Sequence, residues 1–303
     1  MRCSALVFLL LSSATAFAPV AVRQSSVSHS SSRQSQTLLP IVPHTTTTLL
    51  LASNAQESSS VEPQVDVNAL VKYHGAIVIQ LTIIAGLFLG LDTIVDATGI
   101  ADSVPTLALV PLFWGLSLKS RTFNPLDNER PNMKAAIENG KPSKGFKDRV
   151  MPSWTPPGPV FPIMWVLIIG PLRAYSSALV WQANGHHFLD PAIMALMFHL
   201  AVGDVWNTMN NAEQRYGAAV TGVLCVTASA LNAAYQYSTV DDMAGTLLGL
   251  PMIWFAVAAS LVTATWQLNP SNVATGELDP LYPIVRDGKE TTFAWFGGSN
   301  EAE

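Results

Sequence analysis

Hydrophobic positions along this chain do not alternate. They gather into six uninterrupted apolar runs, at 75–91, 104–118, 157–181, 191–208, 217–236 and 246–266, separated by polar stretches. A run apolar on every face suits a helix in lipid, where the helix satisfies its own backbone, whereas a barrel strand would alternate every second residue. A span takes roughly 20 such residues, within a range of about 17–25. The run at 104–118 is the shortest and carries Pro105 and Pro111. The pattern predicts an all-α membrane protein.

Loop charge tests the number of crossings, because Lys and Arg collect on the side that is not translocated. Between the first two runs lie Asp92, Asp96 and Asp102 and no base. The next loop, 119–152, holds Lys119, Arg121, Arg130, Lys134, Lys141, Lys144, Lys147 and Arg149. The loop "QANGHHFLD" has no base, the following one has Arg215, the next has only Asp241 and Asp242, and the tail 271–303 returns to Arg286 and Lys289. Basic and base-free loops alternate throughout if all six runs cross, which puts both ends on the basic side.

Ahead of the runs, residues 1–17, "MRCSALVFLLLSSATAF", have the charged start, apolar centre and small-residue end of a signal peptide. Residues 18–56 contain no acid and many Ser and Thr with Arg23 and Arg33, the composition of an organelle transit peptide. Such a double leader resembles those of algae with secondary plastids and predicts a multi-pass protein of a plastid membrane, the envelope being the expected one. The plainer reading is a signal peptide followed by a Ser/Thr-rich linker. Residues 57–74 read as a linker into the first span.

Composition agrees with a membrane protein: of 303 residues, 49 % are hydrophobic and only 12 % charged, with mean hydropathy +0.31, where soluble chains carry about a quarter charged. A net charge of −5 with no concentrated basic tract argues against nucleic acid. Of the two cysteines, Cys3 falls in the leader and Cys225 in an apolar run, so neither a disulfide framework nor a zinc spacing exists. No hydrolase elbow, Walker loop, paired-carboxylate site or HExxH motif appears. Gly86 and Gly90 form a GxxxG that would serve a homodimer.

Three stretches carry a resemblance. "PSWTPPGPVFPIMWVLIIGPLRAYSSALVW", "HLAVGDVWNTMNN" and "LPMIWFAVAASLVTATWQLNP" occur in the order of the second, third and fifth helices of the TspO/MBR family, the tryptophan-rich sensory and translocator proteins. The resemblance spans 104–270 and implies a five-helix bundle, to which the run at 75–91 adds an N-terminal helix. Departures are Pro159, where the family has tryptophan, and Gly203 and Val262, where it has asparagine. The tyrosine-and-base motif proposed for sterols is absent from the fifth helix.

The resemblance implies a helix-bundle cavity that holds a tetrapyrrole, porphyrin or haem, or a similar amphipathic ligand, for sensing, buffering or trafficking, with no cofactor required and lipid as the other partner. A porphyrin-degrading enzyme, a transporter and a scaffold of the plastid envelope are the alternatives. Flat rings stack on aromatic walls and bury apolar area at about 25 cal/mol per Å2. Pro156 and Pro157 are expected to start the third span, since proline is tolerated in a first helical turn. Trp154 precedes them, and Phe161 and Trp165 share a helix face at i, i+4. Trp165, Trp206 and Trp254 are expected in the pocket, and Trp114, Trp181 and Trp266 in the interfacial belt. His199, Gly203, Trp206, Asn207 and Asn210 fall on one face of the fourth span, read as lining the cavity. Arg173 and Asp204, charges inside spans, are expected to pair, because an unpaired charge near the bilayer centre costs roughly 2.5–3.5 kcal/mol. His199 reads as a hydrogen-bonded interior histidine rather than an axial haem ligand, and Pro171 as a kink. No metal site is expected.

Overall fold

A computed structural model describes residues 63–127, 149–286 and 290–295. The expected leader and residues 128–148 of the basic loop lie outside them. The described chain is all-α, with helices α1 (Val67–Thr98), α2 (Thr106–Lys119), α3 (Val160–Ala183), α4 (Pro191–Ala212), α5 (Tyr216–Ser238), α6 (Asp242–Gly249) and α7 (Met252–Leu268). Five stretches are long and apolar enough to cross a membrane: α1, α3, α4, α5, and α6 with α7. Pro251 interrupts the last of these and starts α7.

The expected sixth crossing is helical for only 14 residues, about 21 Å at 1.5 Å per residue. Its course nonetheless runs along the bundle. Thr106 hydrogen-bonds Gln182 near the end of α3. Beyond a 3-10 turn at Ser120–Phe123, Leu126 pairs with Phe293 of the tail, which also pairs with Val65 ahead of α1 through Ile284. Irregular backbone at such depth needs partners inside the protein, and Gln80 of α1 provides them. Its Nε2 donates to the Ser120 carbonyl at 3.0 Å, and its Oε1 accepts from Asn124 Nδ2 at 2.8 Å.

Helix α1 is longer than the run at 75–91. Asp66 caps it through the Ala69 amide at 2.9 Å, and Gly99, at φ 62°, ends it in the left-handed conformation that glycine adopts freely. Asp92, expected in a loop, is a buried residue of α1 that accepts the amides of Phe188 and Leu189 at 2.6 and 2.9 Å. A carboxylate that collects two amides can remain helical beside the turn it anchors.

The main core joins Leu81, Ile84 and Phe88 of α1, Phe113 of α2, Ala174 and Ala178 of α3, and Ile193 and Leu196 of α4. Trp181 belongs to this core and not to the belt: it is 1 % exposed and packs against Phe188 with ring centroids 5.5 Å apart. The tail folds back over the opposite end. Asp66 N donates to Pro283 O at 2.8 Å, Val285 N to Gln64 O at 2.9 Å, and Trp266 Nε1 to Asp279 O at 2.9 Å. Arg215, in the turn between α4 and α5, joins these pieces. Its Nη2 reaches Asp66 Oδ2 at 2.8 Å and its Nη1 the Ile284 carbonyl at 2.9 Å, while Nε lies 2.8 Å from Glu213 as an ion pair. Burial opposes ionisation of Asp66, but the Ala69 amide and the Arg215 guanidinium outweigh it and hold the carboxyl below its usual 3.8.

Candidate functional site

The site is built on α3, whose first half is not α-helical. The helix starts at Val160, after Pro159, and not at Pro156 or Pro157. Proline disfavours the helical conformation in the residue before it, so Pro159 delays the start, and residues 152–155 form a separate turn with Thr155 N bonded to Pro152 O at 3.0 Å. Pro156 is half-buried, Pro157 exposed, and Trp154 half exposed on this approach.

From Ile163 to Ile169 the helix is a π-helix, a form that recurs at functional sites. Pro171 has no N–H to offer the carbonyl five residues back, that of Val166. Trp114 Nε1 of α2 donates to this carbonyl at 3.1 Å. Trp114 is thus a helix-pinning residue and not a member of the belt. It approaches because position 170 is glycine: a Cβ there would lie 2.7 Å from Trp114 Nε1.

Helices α3 and α7 carry an aromatic corner. Phe161 meets Trp254 edge-on at 5.9 Å between centroids, Trp165 meets Phe255 at 5.5 Å, and Phe255 in turn meets His199 at 5.4 Å. Such edge contacts are each worth about 0.5–1.5 kcal/mol beyond area burial. Phe161, Trp165 and Trp254 remain partly exposed. The indole nitrogen of Trp254 is buried and donates to nothing among the described residues. Trp181 shares that lack but is packed within the core. Trp206 turns the other way, donating to Ala219 O of α5 at 3.1 Å. Gly222 makes this approach possible, since a Cβ there would stand 2.9 Å from the indole.

The expected Arg173–Asp204 pair is absent. Arg173 Nη2 donates to His199 Nε2 at 2.7 Å, and its guanidinium carbon lies 5.7 Å from the Trp165 ring centre. Because Nε2 accepts from arginine, the proton of His199 is assigned to Nδ1, which lies 3.1 Å from both Val226 O and Ser229 Oγ. His199 is accordingly an interior hydrogen-bonded histidine, both of whose nitrogens are engaged. Asp204 instead accepts from Gln80 Nε2 at 2.9 Å and Ser120 Oγ at 2.8 Å, and acts on Arg173 only through space. Sequence spacing addressed only the depths of Arg173 and Asp204 and carried no information on their directions around the helix axes.

The face read on α4 therefore divides. His199 points at α3 and α5, and Trp206 at α5. Asn207 Nδ2 bonds the Gly203 carbonyl at 3.2 Å, its Oδ1 accepts from Asn211 at 2.9 Å, and Asn210 is held through its carbonyl by Arg149. A Cβ at Gly203 would meet nothing within 4 Å, so that position opens on free space. A separate cavity of about 200 Å3, its mouth included, is lined by Arg173, Leu196, His199, Ala230, Ala233, Leu248, Pro251, Met252 and Phe255. Gln80, Phe255 and Gly222 escaped the sequence reading. A lone amide inside the apolar run at 75–91 was the available signal for the first.

Fold and site together define a multi-pass, all-helical membrane protein with a tryptophan-rich corner. Residues 132–267 match the model of the TspO/MBR family. Protein CrtK of Rhodobacter capsulatus is 26 % identical over 132 residues, which make up 43 % of this chain and 81 % of that protein. That segment, a little under half of the chain, is similar to the TspO/MBR family, and α1 and α2 precede it.

Proposed function

We propose that this protein is a receptor of a plastid membrane that holds a flat amphipathic ligand, of tetrapyrrole type, against the corner formed by Phe161, Trp165 and Trp254, and so senses, buffers or passes it on. The observation that carries the reading is the Trp254 indole N–H, buried without an acceptor beside partly exposed aromatic rings. A buried indole ordinarily finds a partner, and a carbonyl, carboxylate or ring nitrogen of a ligand would supply one. Pockets for drug-sized ligands run about 300–1,000 Å3. Inside its mouth the cavity beside the corner has room for about one water molecule, so a macrocycle would lie along the corner, with Trp154 and the Pro156–Pro157 turn on its approach. The plastid assignment rests on the composition of residues 1–56.

Titration of protoporphyrin into the purified full chain in nanodiscs, read by tryptophan quenching and by the porphyrin absorption band, tests the binding. Trp165→Ala and Trp254→Ala are each expected to weaken it about tenfold, the effect of losing roughly 1.4 kcal/mol. Binding that survives both substitutions unchanged would place the ligand elsewhere. A fluorescent fusion reports the compartment.

A further inference from the structure

Arg173 stands in the membrane-spanning part of α3, 7 % exposed, with its side chain on the wall of the cavity. Among the described residues no carboxylate lies within 4.0 Å of it. The carboxylate expected to neutralise it, Asp204, is held instead by Gln80 and Ser120. What touches Arg173 is neutral, the His199 imidazole at 2.7 Å and the face of Trp165 at 5.7 Å, while Asp204 acts on it only through space. A guanidinium carries five donors in a planar fork suited to a carboxylate, and a charge at this depth ordinarily finds an opposite one.

We infer that the cavity beneath Arg173 is a carboxylate subsite, which takes the acidic headgroup of an amphipathic ligand while the ligand's apolar body lies along the aromatic corner. The size limits what enters: inside its mouth the cavity has room for about one water molecule, so only the carboxylate end of a ligand would reach Arg173. The continuity fits. Phe255 lines the cavity and meets Trp165, and Trp165 meets both the corner and Arg173. The N-terminus of α7, which no side chain caps, borders the same space through Pro251 and Met252, and its dipole favours an anion there. His199 is the positioning residue. Fixed from behind by Val226 and Ser229, it holds one nitrogen of the guanidinium and leaves the rest of the fork for a ligand.

This subsite deepens the proposed function and rests on it for the ligand's body, but its test is separable. The full chain in nanodiscs is titrated with mesoporphyrin and with its dimethyl ester, and in parallel with the fluorescent fatty acid cis-parinaric acid and its methyl ester. Wild type is expected to bind an acid at least tenfold more tightly than the matching ester. Arg173→Gln should remove that preference by weakening the acid alone, and Arg173→Lys should restore part of it. Thermal unfolding of each variant shows whether it is folded. Should Arg173→Gln not fold, Arg173→Lys and the wild-type acid-to-ester ratio still decide the matter. Preference for porphyrin acid points to a tetrapyrrole carboxylate, and preference for parinarate without any porphyrin binding keeps the subsite while removing the tetrapyrrole reading. Equal binding of acid and ester by wild type, for both probes, overturns the subsite, as does an Arg173→Gln variant that keeps the acid preference.

Discussion

Gln80→Leu is the substitution that most directly tests how α1 is integrated. Gln80 is fully buried, and its side chain uses both kinds of hydrogen-bonding atom: Nε2 donates to Ser120 O and Asp204 Oδ2, and Oε1 accepts from Asn124. Leucine nearly matches its shape and apolar environment, so packing changes little. The Ser120 carbonyl and the Asn124 amide lose a partner, and Asp204 keeps Ser120 Oγ but loses a donor. Leaving a buried neutral group unsatisfied costs about 1–3 kcal/mol, so two such groups and a weakened carboxylate amount to about 3 kcal/mol at least. Thr82→Val removes a polar group from the same helix on its exposed face, where the hydroxyl bonds only its own helix, and serves as the control. In detergent, thermal unfolding followed by tryptophan fluorescence should place Gln80→Leu on the order of 10 °C below wild type, at about 2–4 °C per kcal/mol, with Thr82→Val unchanged. If Gln80→Leu melts with wild type, the polar knot around Ser120 does not hold α1 and α2 together.

Arg215→Met should destabilise by about 1.5–3 kcal/mol, the usual worth of hydrogen bonds to charged groups, because the half-buried carboxylates of Asp66 and Glu213 lose their partner, and should speed tryptic cleavage of the tail. The same clasp should weaken in acid. The depressed pKa of Asp66 gives stability that is fully present above the usual 3.8 and lost as pH falls through its lower folded value. Asp66→Asn should flatten that part of the pH profile, and a profile identical to wild type would remove Asp66 from the account. Gly222→Val should cost about 1–3 kcal/mol by overpacking, because the new Cβ meets the Trp206 indole at 2.9 Å. Trp206→Leu in the same chain should recover part of the loss in thermal unfolding.

The helices were legible because continuous apolar runs admit few other structures in lipid. Their limits were not. Asp92 and Asp96 read as loop, yet Asp92 is held in α1 by two loop amides that no sequence rule supplies. The third helix was placed, but its start was assigned to Pro156 and Pro157 when Pro159, the departure from the family pattern, sets it later. Phe161, Trp165 and Trp254 were named, and the fold brings them to one corner across α3 and α7. Trp206 was named for the same pocket and faces α5 instead, since only the packing reveals that Gly222 makes room for it there. The partner of Arg173 depended on rotation about α3 and α4, and the π stretch upstream alters the phase of α3 in a way that apolar periodicity does not record.

Each place where the backbone leaves α-geometry within the spans invites the same question, because lipid offers no hydrogen bonds to compensate. At Pro171 the carbonyl deprived of its helical donor is Val166 O, and Trp114 reaches it over Gly170. After α2 the irregular turn is met by Gln80 and Asn124, with Asn124 Oδ1 taking the Leu126 amide. In both cases a residue from a neighbouring helix offsets the irregularity, and α1 and α2, which lie ahead of the family segment, supply those residues. The break between α6 and α7 is different. It borders a buried guanidinium that no described carboxylate touches, and a space that holds about one water molecule. The chain's own side chains meet the irregularities at Pro171 and after α2, whereas at the α6–α7 break the proposed acidic ligand would set its carboxylate beside Arg173.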